Sequence, residues 1–505
     1  MSSSEDQKRK LMCRSVWLRR QRAKMEHHGS TVSLAGTRGP LCHKGDTKFA
    51  ENTMPVLELD KFPEDILHHI HSRVPLRDAA RAACVSHNFL RSWRRYPNLT
   101  FNWKTVGLNM NEGTPYERAQ KLLDIIQTII ENHSGTGVKT LKLQVHPCRN
   151  VITANQLDIW LQAAVKDGIV ELALDLPQFY GPKFNFPCSL LSCAASLLQS
   201  LSLSYCAFCP TLMVGCLRNL KSVCLTVVHI TEEELGCLFS CALCLEKLEV
   251  SQCDDITFLK IPSHLQQLHI LRVFLCRRLQ GMTMNGECCS GIFHYALTKL
   301  YSIASNLQTL ILLSSKEAFD MPAPSHKFLH LRHLKIYCAN MKSFDFFSLV
   351  SFLKACPVVE NFFLSAGRPY IVRQEESILE DSNSDPSRIR CFQEFYHDNL
   401  KKVSISGFCS AKSLIELTCQ ILGTSPSLQC LVLDTTGGYD NTGICENMDR
   451  KAIMEALRGV EAIKRYVKGK VPSSVNFKVL EPCDRCHIPK LDVSMQVSDV
   501  RGRLA

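Results

Sequence analysis

Cysteine carries most of the latent chemistry in this chain. Among its 505 residues are 26 cysteines and 18 histidines. Three cysteine pairs have the C-x-x-C spacing used in redox exchange and metal ligation: Cys206 with Cys209, Cys241 with Cys244, and Cys483 with Cys486. His487 completes the C-x-x-C-H pattern of covalent haem attachment. No export signal or distal-ligand pattern accompanies it, and no second C-x-x-C lies nearby at zinc-site spacing. The pair is therefore read as structural or incidental thiols. Cys206 occupies a repeat position described below, and Cys241 and Cys244 fall on an expected helix, so core packing is the preferred reading for both pairs. His68, His69 and His71 spread around one helix and are read as solvated or partner-facing, not as ligands. There is no phosphate-cradling loop, no G-x-S-x-G and no H-E-x-x-H. The sequence thus points to no catalytic residues, no metal and no cofactor.

The same cysteines speak about compartment. A secreted disulfide scaffold would gather them in a small domain behind a signal peptide. Here they are scattered, and the opening MSSSEDQKRK is polar and charged. Reduced thiols acting as small hydrophobes are expected, in the nucleus or cytoplasm. The net charge of +11 gathers partly in the first fifty residues, which include Lys8, Arg9, Lys10, Arg14, Arg19, Arg20, Arg22 and Lys24. Residues 1–53 have no apolar periodicity and are expected to be a disordered basic tail. Its RRQRAK run at 19–24 has the composition of a nuclear import signal or of a plain solvated tail. No dense basic stripe with interleaved aromatics follows, so no nucleic-acid partner is expected. The most apolar window, SLLSCAASLLQSLSLSYCAFC, is broken by serines and Gln199, and no membrane partner is expected either.

The elements that must position any site fall into two patterns. From about residue 138 the unit L-x-x-L-x-L recurs, often with a cysteine or another small or apolar residue three positions on. Its clearest copies are Leu198-Leu201-Leu203-Cys206, Leu220-Val223-Leu225-Val228, Leu245-Leu248-Val250-Cys253 and Leu268-Leu271-Val273-Cys276. Later copies begin at Leu307, Leu331, Val359, Leu400 and Leu428, and weaker early ones at Val138 and Ile169. The period lies within the roughly 20–29 residues of leucine-rich repeats. Residues two apart on a strand share a face, so each unit buries a stripe that only a stacked neighbour can cover. Helices are expected between strands, as in FFSLVSFLKAC before Pro357 and AKSLIELTCQIL before Pro426. The fold class is α/β, with a repeat solenoid over 138–436. The acidic segment 373–388 reads as an inserted mobile loop. A last helix at 449–467, with Ile453, Leu457, Val460, Ile463 and Val467 facing in, is expected to cap the end within a C-terminal region at 437–505.

The second pattern is LDKFPEDILHHIHSRVPLRDAARAACVSHNFLRSWRRY at 59–96. A unit of about forty residues with this much apolar surface cannot bury it alone. The small all-helical segment at 57–99 therefore reads as a docking module. A helix in 100–137 follows, with Ala119, Leu122, Leu123, Ile126, Ile129 and Ile130 on one face; it is read as joining the module to the repeats.

The docking segment resembles an F-box. Phe62-Pro63 stands for the usual Leu-Pro, Ile66, Leu67 and Ile70 for the aliphatics, and Val74-Pro75 for the second proline. Val85-Ser86-His87-Asn88-Phe89 stands for the last element, with Phe89 in place of the usual Trp. Leu76 and Trp93 belong to the same apolar set. The whole layout resembles plant F-box proteins with leucine-rich repeats and an FBD-type end, the latter from about 391 on the strength of LKKVSISGFCSAKSLIELTCQILGTSPSLQCLVL. The resemblance implies that these residues bind a Skp1-type adaptor and, through it, a cullin–RING ubiquitin ligase. The repeats would then bind an unidentified target protein for ubiquitination, with no covalent chemistry on this chain. A non-degradative scaffold or ligand receptor is the alternative; a cysteine-dependent enzyme is remote.

Overall fold

Alternation along the leucine motif is what makes the sheet. In a computed structural model, the described residues are 63–482 apart from short internal stretches, the longest being 179–183, 211–216, 283–287, 301–305, 315–320, 368–376, 380–388, 391–395 and 438–447. Each of the eleven motifs becomes a strand: β2 (Thr140–Gln144), β3 (Glu171–Asp175), β4 (Ser200–Ser204), β5 (Ser222–Thr226), β6 (Lys247–Ser251), β7 (Ile270–Phe274), β8 (Thr309–Ser314), β9 (His333–Cys338), β10 (Asn361–Ser365), β11 (Lys402–Ser406) and β12 (Cys430–Asp434). Two more strands lie outside the motif series, β1 (Asn98–Phe101) before it and β13 (Asn476–Leu480) after it. All thirteen form one sheet in chain order, and every pairing is parallel. The architecture is the expected α/β repeat solenoid.

The register stacks like on like. Leu141, Leu172, Leu201, Val223, Leu248 and Leu271 pair in sequence, and the row continues through Leu310, Leu334, Phe362, Val403 and Leu431. None of these side chains is more than 2% exposed. The residues two further on form a second buried row, from Leu143 to Leu433. Each such side chain contributes about 1.5–3 kcal/mol on burial, and each gains it only against its neighbours.

Where the chain leaves the sheet, geometry explains the cysteines. Tyr205, Val227, Gln252 and Leu275 follow four consecutive strands with φ of 57°, 56°, 52° and 51°, a left-handed conformation that costs a non-glycine residue about 1–2 kcal/mol. Their N–H groups still donate across the ladder, to the carbonyls of Thr226, Ser251, Phe274 and Leu313 at 2.7–3.0 Å. The corner turns the next residue inward, so Cys206, Val228, Cys253 and Cys276 are all buried. Burial pushes the Cys206 and Cys276 thiols up to about 12 and Cys253 well above its usual range.

The helices start and stop where local chemistry dictates. α4 (Pro115–Asn132) opens with a Thr114/Glu117 capping box and Pro115 in its first turn. It buries Ala119, Leu122, Leu123, Ile126 and Ile130, with Ile129 half-buried. α5 (Ala154–Ala164) and α6 (Glu232–Cys241) repeat the device with Thr153/Gln156 and Thr231/Glu234. Before Pro426, α7 (Lys412–Thr424) ends as the proline spacing predicts. Before Pro357 the helix is composite, a 3-10 turn (Phe346–Leu349) running into a short α-helix (Val350–Ala355).

Three expectations need correction. The strand β1 precedes the start at 138 read from the sequence. The last helix, α8 (Arg450–Ala462), passes into a π-helical turn, Ile463–Val467. Its buried stripe uses Ala452, Ile453, Ala456 and Val460, and Leu457 is 42% exposed. In that turn Ile463 and Val467 are buried as expected, and Tyr466 is buried beside them. Finally, part of the acidic insertion is anchored. Ser377 bridges to Ala411, its hydroxyl donates to Ser410 Oγ at 2.8 Å, and Ile378 is buried.

The C-terminal repeats are further tied by close approaches. Gly407 has φ +73°, and a Cβ there would stand 2.2 Å from the Gly367 carbonyl oxygen. A Cβ on Gly459 of α8 would stand 2.9 Å from the carbonyl oxygen of Phe408. Arg390 pairs in bidentate fashion with Asp345 at 2.8 Å and reaches the buried Glu416 at 2.7 Å.

Candidate docking surfaces

The first candidate surface is built by three short helices: α1 (Glu64–Arg73), α2 (Leu76–Ala83) and α3 (His87–Trp93). Pro63 and Pro75 sit at the N-caps of α1 and α2 with φ of −56° and ψ near 147°. Each fixes the approach of the chain without removing a hydrogen bond the helix could use. The C-cap of α1 is Val74, whose carbonyl accepts from the Tyr96 hydroxyl at 2.7 Å. Asn98 Nδ2 donates to the Ser72 carbonyl at 3.0 Å. These bonds seat the turn between the prolines onto the start of the sheet.

The structure divides the predicted docking residues into two sets. Leu67, Leu76 and Phe89 are 1%, 4% and 5% exposed and pack inside the chain. Val74 and Trp93 are half-buried against the same core. Ile66 and Ile70 are 45% and 37% exposed, and Pro63 and Pro75 are exposed as well. Pro63, Ile66 and Ile70 follow one another at helical spacing of three and four, so they form one stripe. Phe62, Val85 and Ser86 lie outside the described residues, as do Cys483, Cys486, His487 and the basic tail.

Two readings change on this geometry. Leu67 is an internal residue at 1% exposure, and Leu76 and Ala79 of α2 join the same continuous core as Leu99 and Phe101 of β1. The module therefore buries much of its apolar surface within its own chain, and the face left over is narrower than the composition suggests. His71 is not solvated: it is 1% exposed, its Nδ1 lies 2.8 Å from Ser92 Oγ, and its ring stacks tilted on Phe89 at 4.9 Å. His69 is exposed.

The second candidate surface is the outward side of the sheet, formed by the residues between the paired leucines. It includes Lys142, which pairs with Glu171 at 2.8 Å. Further along, Glu249 is buried and accepts from Arg272 Nη1 at 3.2 Å, with Lys247 Nζ at 3.9 Å. Burial and then the charge of Arg272 hold Lys335 below the usual lysine range. Tyr337 stacks tilted on Phe363 with ring centroids 5.2 Å apart. Sequence reasoning missed this set; its only signal was charge at the middle position of L-x-L.

Two of the three cysteine pairs lie among the described residues. Cys206 is buried, and Cys209 is pushed up to about 11, first by its hydrogen bond to Glu234. Cys241 is buried at the end of α6 and Cys244 is half-buried. Among the described residues no group of three metal-ligating side chains converges, and no helix is long and apolar enough to cross a membrane.

Comparison with known proteins matches these two parts separately. The F-box domain matches residues 59–101. The leucine-rich-repeat domain described as At1g61320/AtMIF1, LRR domain, matches residues 129–287 and 281–484. The chain belongs to the F-box/leucine-rich-repeat family of plants. This F-box/leucine-rich-repeat protein is 22% identical over 399 residues to the Arabidopsis thaliana F-box/FBD/LRR-repeat protein At1g13570, covering 75% of this chain and 91% of that one. It is 27% identical over 195 residues to the FBD-associated F-box protein At5g56380 of the same plant, covering 37% and 42%. A solved internalin from Listeria monocytogenes is similar at 12% identity and a TM-score of 0.28, covering 73% of this chain and 98% of that one.

Proposed function

We propose that this F-box/leucine-rich-repeat protein is a non-catalytic substrate-recognition adaptor of a Skp1–cullin–F-box ubiquitin ligase. The observation that carries the reading is the exposed stripe of Pro63, Ile66 and Ile70 on a segment that matches the F-box domain, fused to a long repeat sheet. Two aliphatic side chains one helical turn apart are what a helix laid in an apolar groove presents. The partner on that side is a Skp1-type adaptor, and through it a cullin–RING ligase. The repeats hold a target protein, and the chain acts by raising the target's effective concentration near the ligase. The place of action is the nucleus or cytoplasm.

Co-purification tests the first arm. Wild-type chain retains a Skp1-type adaptor, and the Ile66→Ala/Ile70→Ala variant loses it with its fold intact. The second arm is tested by ubiquitin transfer to a repeat-bound protein in a reconstituted ligase. Adaptor binding without any transfer would instead favour the non-degradative scaffold.

A further inference from the structure

The outward side of the sheet carries charges that repeat packing does not require. Across consecutive strands the middle outward position holds Glu249, Arg272, Ile311, Lys335 and Phe363. The same position elsewhere is filled by Ser202, Cys224 and Ser404, so nothing in the ladder demands a cation. Arg272 and Lys335 both pair in register with Ile311 and so flank it, about 10 Å apart at the backbone by strand spacing. Arg272 Nη1 is taken by Glu249, while its Nε is buried with no hydrogen-bond partner. Lys335 is half-buried and makes no ion pair or hydrogen bond among the described residues. Tyr337, on the same face two residues beyond Lys335, is buried against Phe363.

Two cations beside each other in partly desolvated surroundings repel, and an unused buried donor adds to the cost. Such an arrangement is relieved by an anion between them. Glu249 lies 3.2 Å from Arg272 Nη1 and 3.9 Å from Lys247 Nζ, so Lys335 is the cation of this row with no carboxylate beside it among the described residues, and a single carboxylate supplies the charge it lacks. Phe363, half-buried and in register with Lys335, suits a hydrophobic group attached close to that carboxylate. Because the residues form a row crossing neighbouring strands, they suit an extended segment laid over the sheet.

We propose that Arg272 and Lys335 bind the carboxylate of an acidic residue in the protein held by the repeats, with an adjacent apolar residue of that protein seated on the half-buried Phe363, which Tyr337 backs from within. This rests on the reading that the repeats select a protein.

Thermal unfolding of the full chain tests it, with N-acetyl-Glu-Phe-amide, N-acetyl-Gln-Phe-amide, phenylacetate and inorganic phosphate as probes at matched ionic strength. The Glu dipeptide, at about 5–30 times its Kd, is expected to raise the wild-type Tm by about 1–2 °C, and the Gln dipeptide to leave it unchanged. Lys335→Met is expected to unfold about 1–2 °C higher than wild type without ligand, because a desolvated cation is gone, and to lose the dipeptide shift. Arg272→Gln provides a second variant in which the shift is also lost. An equal dipeptide shift in both variants overturns the proposal. So does phosphate matching the dipeptide, which marks a general anion effect, or phenylacetate exceeding it, which marks a small-acid site. Adaptor co-purification on the same preparations separates the two readings: retained adaptor with no dipeptide response overturns the carboxylate site alone. A dipeptide response with no adaptor binding supports the site and overturns the ligase assignment.

Discussion

Replacing Ile66 and Ile70 together by alanine removes apolar surface that the chain leaves in water. The two side chains are 45% and 37% exposed, so a partner that covers them takes up less than one full isoleucine equivalent of surface. At about 1.5–3 kcal/mol for a fully buried aliphatic side chain, their joint share of the docking energy is about 1–2.5 kcal/mol. That corresponds to roughly a 5- to 70-fold rise in Kd for a Skp1-type adaptor. Ile70→Glu adds the desolvation of a carboxylate at the contact and is expected to cost about 2 kcal/mol more. Both variants keep the helical unit folded, since neither residue packs in the core. Leu67→Ala is the contrasting control: the side chain is 1% exposed, and truncation costs about 2–5 kcal/mol of stability. Titration of purified adaptor onto immobilised chain gives the affinities, and hydrogen exchange of the 64–93 amides reports the fold. The reasoning is refuted if the double alanine variant binds like wild type while its amides remain protected. It is equally refuted if Leu67→Ala weakens binding with protection unchanged.

Other outcomes follow from the repeats. Gly407→Ala is expected to unfold the C-terminal repeats at lower denaturant, by more than 2 kcal/mol, because it meets both a left-handed φ and the Gly367 carbonyl; the denaturant midpoint reads it. Arg390→Met takes the cation from the buried Glu416, leaving it the backbone N–H of residue 390, and should cost about 2–3 kcal/mol, below the buried-pair range because Arg390 is half exposed. Adding Glu416→Gln should recover most of it in the same melt. With Cys206 and Cys276 pushed up to about 12, only about one thiol in ten thousand is ionised at pH 8. Mass mapping after brief alkylation should find the exposed Cys84 modified and these two intact. Burial holds His133 and His397 below the usual histidine range. The unfolded chain therefore binds more protons than the folded one as pH falls below about 6.5. Stability present above that pH is lost as it drops toward the folded values, which urea melts between pH 7.5 and 5.5 will show.

The repeats were legible because one physical rule writes them. Each L-x-x-L-x-L gives a turn residue and two inward residues, and no tertiary information is needed to see it. β1 and β13 were not legible because Leu99 and Phe101 stand in a segment whose helical pattern dominates, and Phe477 and Val479 lack the preceding leucine. The docking helices were visible from proline placement, but which aliphatics face outward was not. Leu67 and Ile66 are neighbours of like composition, and only the tertiary packing, which leaves them 1% and 45% exposed, tells them apart. The misjudged Leu457 has the same origin in reverse. Ala456 and Leu457 both satisfy helical spacing from Ile453, and the small Ala456 takes the inner place, while Gly459 against the Phe408 carbonyl marks a side of α8 that packs closely. Arg272 and Lys335 escaped notice because outward positions of a solenoid obey no pattern.

The one-to-one register from Asn98 to Leu480 makes the chain behave like text with a reading frame. Deleting a single residue inside any of the thirteen strands would swing its leucines to the wet side and break the stack at that line. The connectors are punctuation by comparison: the one between Ser365 and Lys402 is far longer than most, yet Phe362 still meets Val403. Lineages carrying this architecture can therefore diversify by lengthening what lies between strands, at little cost to the frame.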